Sequence, residues 1–288
     1  MADTQTFYFG RLVIAYTPGY SDKTKFISDA LRPGITVQKN TNSWSFGEVT
    51  NLENEDATYI HGYLVKYKQE SYEETLNERA GQFEQQVIED LVEAKSNFFL
   101  HVKSGVIAYR LVSGHISQRQ FTDIFKELFE KAYNNFFIDV VINSIDDDYS
   151  IFDKIREFEV INKISFKLHP SNPNMRDLWK EVDEEIKAIG ASSYTEEYST
   201  KANSSKGLNK EVIENNEEIR GKLHMADDGY GIAKVVGTIN GELKTISTGD
   251  HPTTVKVIIR DKIEETLESL KLSFKKIFNR IKSLKSDE

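Results

Sequence analysis

The chain predicts an α+β fold, and three observations carry that prediction. Short runs rich in Val, Ile, Phe and Tyr alternate with amphipathic stretches of helical period. A ββαβαβ order can be read over residues 97–168. The C-terminus carries one long amphipathic helix. The expected architecture is a mixed sheet with helices packed on one face. A helix-rich C-terminal subdomain with a β-hairpin and a long terminal helix follows it.

Residues 6–16 are aromatic and β-branched and read as a strand. Residues 24–32 read as a short helix that Pro33-Gly34 ends. Residues 43–50 and 57–68 are strands. On the second, Tyr59, His61, Tyr63, Val65 and Tyr67 share one face by period two, as half-buried core or as a stacking platform for bases. Residues 69–82 are polar and are expected to be loop or frayed helix.

Phe98–Val102 and Val106–Val112 are apolar runs joined by Lys103-Ser104-Gly105, a hairpin signature. Ser117 and Gln120 form a capping box for a helix whose apolar face is Phe121, Ile124, Phe125, Leu128 and Phe129. That helix ends near Asn134-Asn135. A strand over 136–142, a helix over 147–158 and a strand over 160–168 complete the run.

His169-Pro170-Ser171-Asn172-Pro173 holds two of the five prolines and is the strongest break in the chain. It places a boundary between an α+β domain, 1–170, and a helical and hairpin subdomain, 171–288. In the subdomain, Asn174 is expected to cap a helix running to Gly190, and residues 191–208 to be extended. A helix over 209–224 leads to a hairpin around Asn240-Gly241.

The terminal helix starts at a D-x-x-E cap, Asp261 and Glu264. Ile263, Leu267, Leu270, Phe274, Ile277, Ile281 and Leu284 then recur at spacings of four and three. This stripe must be buried, either inside the chain or against a twin helix, and we read it as a dimer interface. Residues 256–288 hold nine bases and six acids, whereas the whole chain has a net charge of −9. Pairing the helix would gather Lys271, Lys275, Lys276, Arg280, Lys282 and Lys285 near a two-fold axis, where they could contact DNA phosphates.

Cysteine is absent, which removes disulfides, thiolate nucleophiles and Cys-ligated metal. His61, His101, His115, His169, His224 and His251 show no metal-ligand spacing, and no nucleophile elbow, P-loop or dinucleotide fingerprint is present. The expectation is therefore no catalytic residue, no cofactor, no metal and no small-molecule substrate. Asp146-Asp147-Asp148 could hold Mg²⁺ but suits the N-terminus of the following helix. Glu217 or Glu218, Asp228, and Glu242-Leu243-Lys244 loosely resemble a PD-(D/E)xK nuclease core, in which acids hold a divalent ion and Lys orients water. No apolar run is long enough to cross a bilayer and the N-terminus lacks a signal peptide, so a cytoplasmic location is expected.

The hairpin 97–110, the strand 162–168 and a strand over 254–260 running into a basic terminal helix resemble the RexA-type phage-exclusion proteins. That resemblance implies a dimeric, non-enzymatic protein that binds DNA in abortive defence against phage, beside a partner that can be membrane-associated. Three readings follow. The first is a homodimeric exclusion protein contacting DNA through its basic C-terminal helix. The second is a metal-dependent nuclease using Asp228, Glu242 and Lys244. The third is a phage-encoded protein inhibitor of a host defence complex, whose acidic, aromatic-rich surface captures a basic one.

Overall fold

The structure is a computed structural model that describes residues 4–16, 23–54, 57–77, 79, 81–135, 138–147, 150–171, 177–201, 206–260 and 262–279. In chain order the strands are β1 (Thr4–Tyr16), β2 (Thr36–Lys39), β3 (Asn42–Asn54), β4 (Ala57–Asn77), β5 (Gln82–His101), β6 (Val106–Arg110), β7 (Ile138–Ser144), β8 (Val160–Leu168), β9 (Tyr194–Ser199), β10 (Gly231–Ile239), β11 (Glu242–Ser247) and β12 (Thr254–Ile258). The helices are α1 (Lys23–Ala30), α2 (Gln118–Ala132), α3 (Ser150–Glu157), α4 (Lys180–Ile189), α5 (Lys210–Asn215), α6 (Glu217–Met225) and α7 (Ile263–Asn279). The fold is α+β, built on two antiparallel sheets.

The first sheet runs β12-β1-β6-β5-β4-β3-β2, with β7 also paired to β1. β12 takes residues 4–8 of β1 and β7 takes residues 10–16, so the two lie end to end along one edge. The second sheet runs β11-β10-β8-β9. All pairings among the described residues are antiparallel, where the sequence suggests a mixed sheet. The ββαβαβ order over 97–168 is present as β5-β6-α2-β7-α3-β8, but its last strand belongs to the other sheet.

Local chemistry explains the elements. The capping box forms: Gln120 N–H donates to Ser117 Oγ at 3.2 Å and Ser117 N–H to Gln120 Oε1 at 2.9 Å. The five apolar residues of the α2 stripe are all buried, packed with Phe26 of α1 against Phe46, Phe98 and Tyr109. Asn134 and Asn135 adopt left-handed φ values of 56° and 54° just after the helix. Asn240 and Gly241 have φ of 53° and 76°, which sets the tight turn pairing Ile239 with Glu242.

Three expectations are corrected. The helix expected over 209–224 is two helices, because Asn216 is extended and its side chain caps α6, accepting from Ile219 N–H at 2.9 Å. Residues 69–77 are not loop but strand, the outer half of β4. The break after Pro170 does not separate two packing units. β8 lies before it and pairs with β9 and β10 after it, while β12 and α7 return to the first sheet. Asn174, the expected cap, lies outside the described residues.

The largest correction concerns α7. Leu267, Leu270, Phe274 and Ile277 are buried in their own chain against Phe7, Phe9, Tyr59, Phe99 and Val257. Ile263 packs at the edge of the same cluster. The Phe274 ring meets Phe9 and Tyr59 edge-on, each at 5.4 Å. Helices thus cover both faces of the first sheet, α1 and α2 on one and α7 on the other. The stripe is satisfied by a sheet rather than by a twin helix, so it is not available as a dimer seam. Ile281 and Leu284 lie outside the described residues.

Candidate binding surface

β4 and β5 are the longest strands, and they outrun their neighbours. β3 leaves β4 at Tyr67, and β6 leaves β5 at Phe98. From Lys68 to Leu91 the chain is a two-stranded arm, closed by a turn in which Gly81 N–H donates to the Asn77 carbonyl at 2.8 Å. At ~3.4 Å per residue the arm reaches about 30 Å beyond the sheet. A bulge between Lys66 and Tyr67 and a left-handed Asp90 (φ 51°) mark its base. Glu93 is tied down there by Lys68 at 2.9 Å and Lys66 at 3.4 Å, and these ammonium groups outweigh desolvation to hold its carboxyl below the ordinary range.

The register sets what the arm presents. Tyr72 opposes Val87, and Leu76 opposes Phe83. These side chains are 63%, 52%, 56% and 75% exposed, against the general tendency of large apolar groups to be covered. Between and beside them on the same face lie Glu70 opposite Glu89 and Glu74 opposite Gln85. The face is a ladder of alternating acidic and apolar rungs. Two carboxylates directly opposed repel each other. Among the described residues, no Lys or Arg pairs with Glu70, Glu74 or Glu89.

The residues singled out in the sequence are placed differently. On α7, Lys275 and Lys276 are exposed, and Lys271 is ion-paired with Glu268. Arg280, Lys282 and Lys285 lie outside the described residues. Tyr59 and His61 sit under α7 and Phe99, which removes them as a base-stacking platform.

The nuclease-like residues do not converge. Asp228 is buried, its carboxylate accepting from Trp179 Nε1 at 2.9 Å and its carbonyl accepting from Arg11 Nε at 2.6 Å. Glu242 and Lys244 pair with each other at 2.6 Å on exposed β11. They lie beside Ile239 and Gly237, so most of β10, roughly 25 Å at ~3.3 Å per residue, separates Glu242 from Asp228. Among the described residues no three His, Cys, Asp or Glu side chains are placed to hold a metal ion. Asp146 is buried and accepts from Gly249 N–H at 2.7 Å. Asp148 lies outside the described residues.

The buried polar groups that sequence reasoning missed are pegs between elements. Arg11 donates to the Asp228 and Ser104 carbonyls and to Tyr230 Oη at 2.6, 3.0 and 3.2 Å, with its guanidinium 4.5 Å above the Tyr230 ring. Lys222 is buried between Glu196 and Glu218. Burial works to lower its pKa, but those two carboxylates and Tyr194 outweigh it and raise the ammonium above its ordinary value. Tyr198 donates to Glu196 and is pushed up to about 12 by that bond. Asp183 accepts from both Ser171 N–H and Oγ, at 2.7 and 2.6 Å, while Lys187 donates to Asp183 and to Ser171 Oγ at 2.6 and 2.9 Å. The serine proton and the ammonium are thus both committed to one carboxylate, which clamps the 169–171 loop to α4. None of these pegs follows from a motif, because the links that join different elements, Arg11 to Asp228, Lys222 to Glu196 and Ser171 to Asp183, are 217, 26 and 12 residues apart in the chain.

Beside the Lys222 peg, a cleft of about 870 Å³ opens between α4 and α6, lined by Asp177, Glu181, Glu185, Glu217 and Arg220 among others. No helix among the described residues is long and apolar enough to cross a membrane.

No curated protein matches the chain. Residues 5–282 match a family described as Domain of unknown function (DUF4747). That match takes in both sheets, the arm and α7, and the chain belongs to the DUF4747 family.

Proposed function

We propose that this chain is a non-enzymatic binding protein of anti-phage defence that holds a macromolecular partner through the β4–β5 arm. One observation supports the reading above all. Four large apolar side chains stand in register on one face of a two-stranded ribbon, each more than half exposed. Exposed apolar groups cost solvation free energy, and two cross-strand pairs of them on one face mark an interaction surface. The defence setting comes from the sequence resemblance and is part of the proposal.

A plaque assay tests it. Bacteria expressing the wild-type chain are expected to survive phage better than an empty-vector control. The quadruple variant Tyr72→Ser, Leu76→Ser, Phe83→Ser, Val87→Ser is expected to keep its melting temperature and lose that protection. Full protection by the variant at equal protein level removes the arm from the mechanism. Absence of protection by the wild type across a broad phage panel removes the defence role.

A second reading rests on Lys275 and Lys276, adjacent and exposed on the outer face of α7. They could contact duplex phosphates, with binding that weakens steeply in salt. Fluorescence anisotropy on a short duplex checks this, and equal binding by Lys275→Glu/Lys276→Glu would end it. A homodimer remains compatible with either reading, through surfaces other than the α7 stripe.

A further inference from the structure

We infer that the arm's partner is a protein presenting cationic side chains alternating with apolar pockets, rather than a nucleic acid, an anionic lipid surface or a second copy of this chain. The inference rests on the arm being the contact surface. Residues 68–91 hold seven acids, Glu70, Glu73, Glu74, Glu78, Glu84, Glu89 and Asp90, and two bases, Arg79 and Lys68, the latter paired with Glu93 at the base of the arm. A segment of that charge repels phosphate at any approach, whether in a duplex or in a lipid headgroup. It equally repels the same arm on another copy.

The α7 face of a second copy offers no better match. Its exposed Lys275 and Lys276 share α7 with exposed Glu264, Glu265 and Glu268, so it offers mixed charge rather than a cationic face. A foreign cationic surface meets both needs of the ladder. It neutralises Glu70, Glu74 and Glu89, and it covers Tyr72, Leu76, Phe83 and Val87.

The ladder also fixes a spacing. Successive rungs on one face are two residues apart, or about 7 Å. The acidic rungs at Glu70/Glu89 and Glu74/Gln85 are therefore about 14 Å apart, as are the apolar rungs at Tyr72/Val87 and Leu76/Phe83. A partner that fits carries a cation, an apolar pocket, a cation and a pocket in that order. Complementarity of this kind sets specificity and speeds encounter at low salt.

The probe is a synthetic peptide repeating Lys-Thr-Leu-Thr, which places Lys and Leu alternately on one face of an extended chain. Glu-Thr-Leu-Thr and Lys-Thr-Ser-Thr repeats are the controls, and calorimetry on the full-length chain is the readout. The expected result is binding at least about tenfold tighter to the Lys-Thr-Leu-Thr peptide than to either control, weakening as salt rises. Leu76→Ser/Phe83→Ser and Glu70→Gln/Glu74→Gln/Glu89→Gln are each expected to lose about tenfold with unchanged melting temperature.

Three results would overturn the inference: no binding of the probe, equal affinity for the three peptides, or unchanged affinity in both variants. Sedimentation showing self-association that the Leu76→Ser/Phe83→Ser variant abolishes would assign the arm to a second copy instead. If the plaque assay needs the arm but the probe is ignored, the arm stands as the contact surface and the cationic partner falls. If the plaque assay does not need the arm, the broader reading falls with its own test.

Discussion

Arg11 is a charged side chain with almost no access to water, so the acceptors around it decide whether it stabilises or destabilises the fold. Two carbonyls, a phenol and an aromatic face supply those acceptors. They come from the β5–β6 turn and from the segment between α6 and β10, so this one guanidinium ties the first sheet to the entry of the second. Gly229 permits the approach: its φ is 82°, and a side-chain carbon there would lie 2.8 Å from Arg11 Cβ. Arg11→Met keeps much of the packing but leaves these groups unpaired. Hydrogen bonds to charged groups contribute about 1.5–3 kcal/mol each. The expected loss in urea unfolding is about 3 kcal/mol, and a loss under about 1 kcal/mol would show that the guanidinium adds no net stability.

The histidines give a pH prediction at the same scale. His61 is buried against Phe99 and Tyr63 with Asn97 as its hydrogen-bond partner, and His169 is buried beside the Ser192 carbonyl. Burial pushes both below the ordinary imidazole range. The folded state therefore takes up these protons later than the unfolded state. Their contribution is fully present above about pH 6.5, the unfolded value, and is lost as pH falls from there toward the depressed folded values. Melting temperature should decline as pH drops from 7 toward 5, before the lowered carboxyls of Glu93 and Glu196 begin to matter. His61→Gln should flatten that decline, and an identical slope in the variant would move the cause elsewhere.

At the scale of elements, what was legible depends on whether the signal is local. The α2 capping box, its buried face and the Asn240-Gly241 turn all rest on neighbours within a few residues, and they stand where the sequence puts them. The α7 stripe was legible as buried but not as to what buries it. A repeat of four and three states only that one helix face needs cover, and Phe7, Phe9 and Phe99 on a sheet supply it as well as a twin helix would. The arm was hidden by composition. Its apolar residues are few, and only the matched alternation of Tyr72 and Leu76 with Phe83 and Val87, on either side of the turn between Asn77 and Gln82, marks a ribbon. The polar pegs, with Arg11 and Asp228 far apart in sequence, left no local trace. α7 gives the prediction for this scale. Leu270→Ala should cost about 2–5 kcal/mol in unfolding free energy without changing sedimented mass, because the residue fills an intramolecular core. Lys275→Glu/Lys276→Glu should change stability by less than about 0.5 kcal/mol. A change of mass in Leu270→Ala, with stability intact, would return the stripe to an interface.

For the whole molecule, β1 is the strand on which both halves of the chain depend. It pairs with β6 on one edge and with β7 and β12 on the other, so the N-terminal and C-terminal ends of the chain meet there. Phe7 and Phe9 are covered by α7, and Val13 reaches the core of the second sheet. β8 stands between β9 and β10, both encoded after the proline-rich break. A chain wired in this way has no place where cutting leaves two complete cores. The fragment 1–170 loses β12 and α7 from the first sheet and both neighbours of β8 from the second. It is expected to bind a hydrophobic dye and to unfold without a cooperative transition, whereas the intact chain should unfold in one step seen alike by far-ultraviolet circular dichroism and by Trp fluorescence. Trp44 reports the first core and Trp179 the second, so each sheet carries its own probe. Trp44→Phe and Trp179→Phe, measured separately, should give coincident midpoints. Midpoints that differ, together with a fragment 1–170 that melts cooperatively, would mean that the first sheet closes its core without α7 and that the Arg11 link does not bind the two halves into one unit.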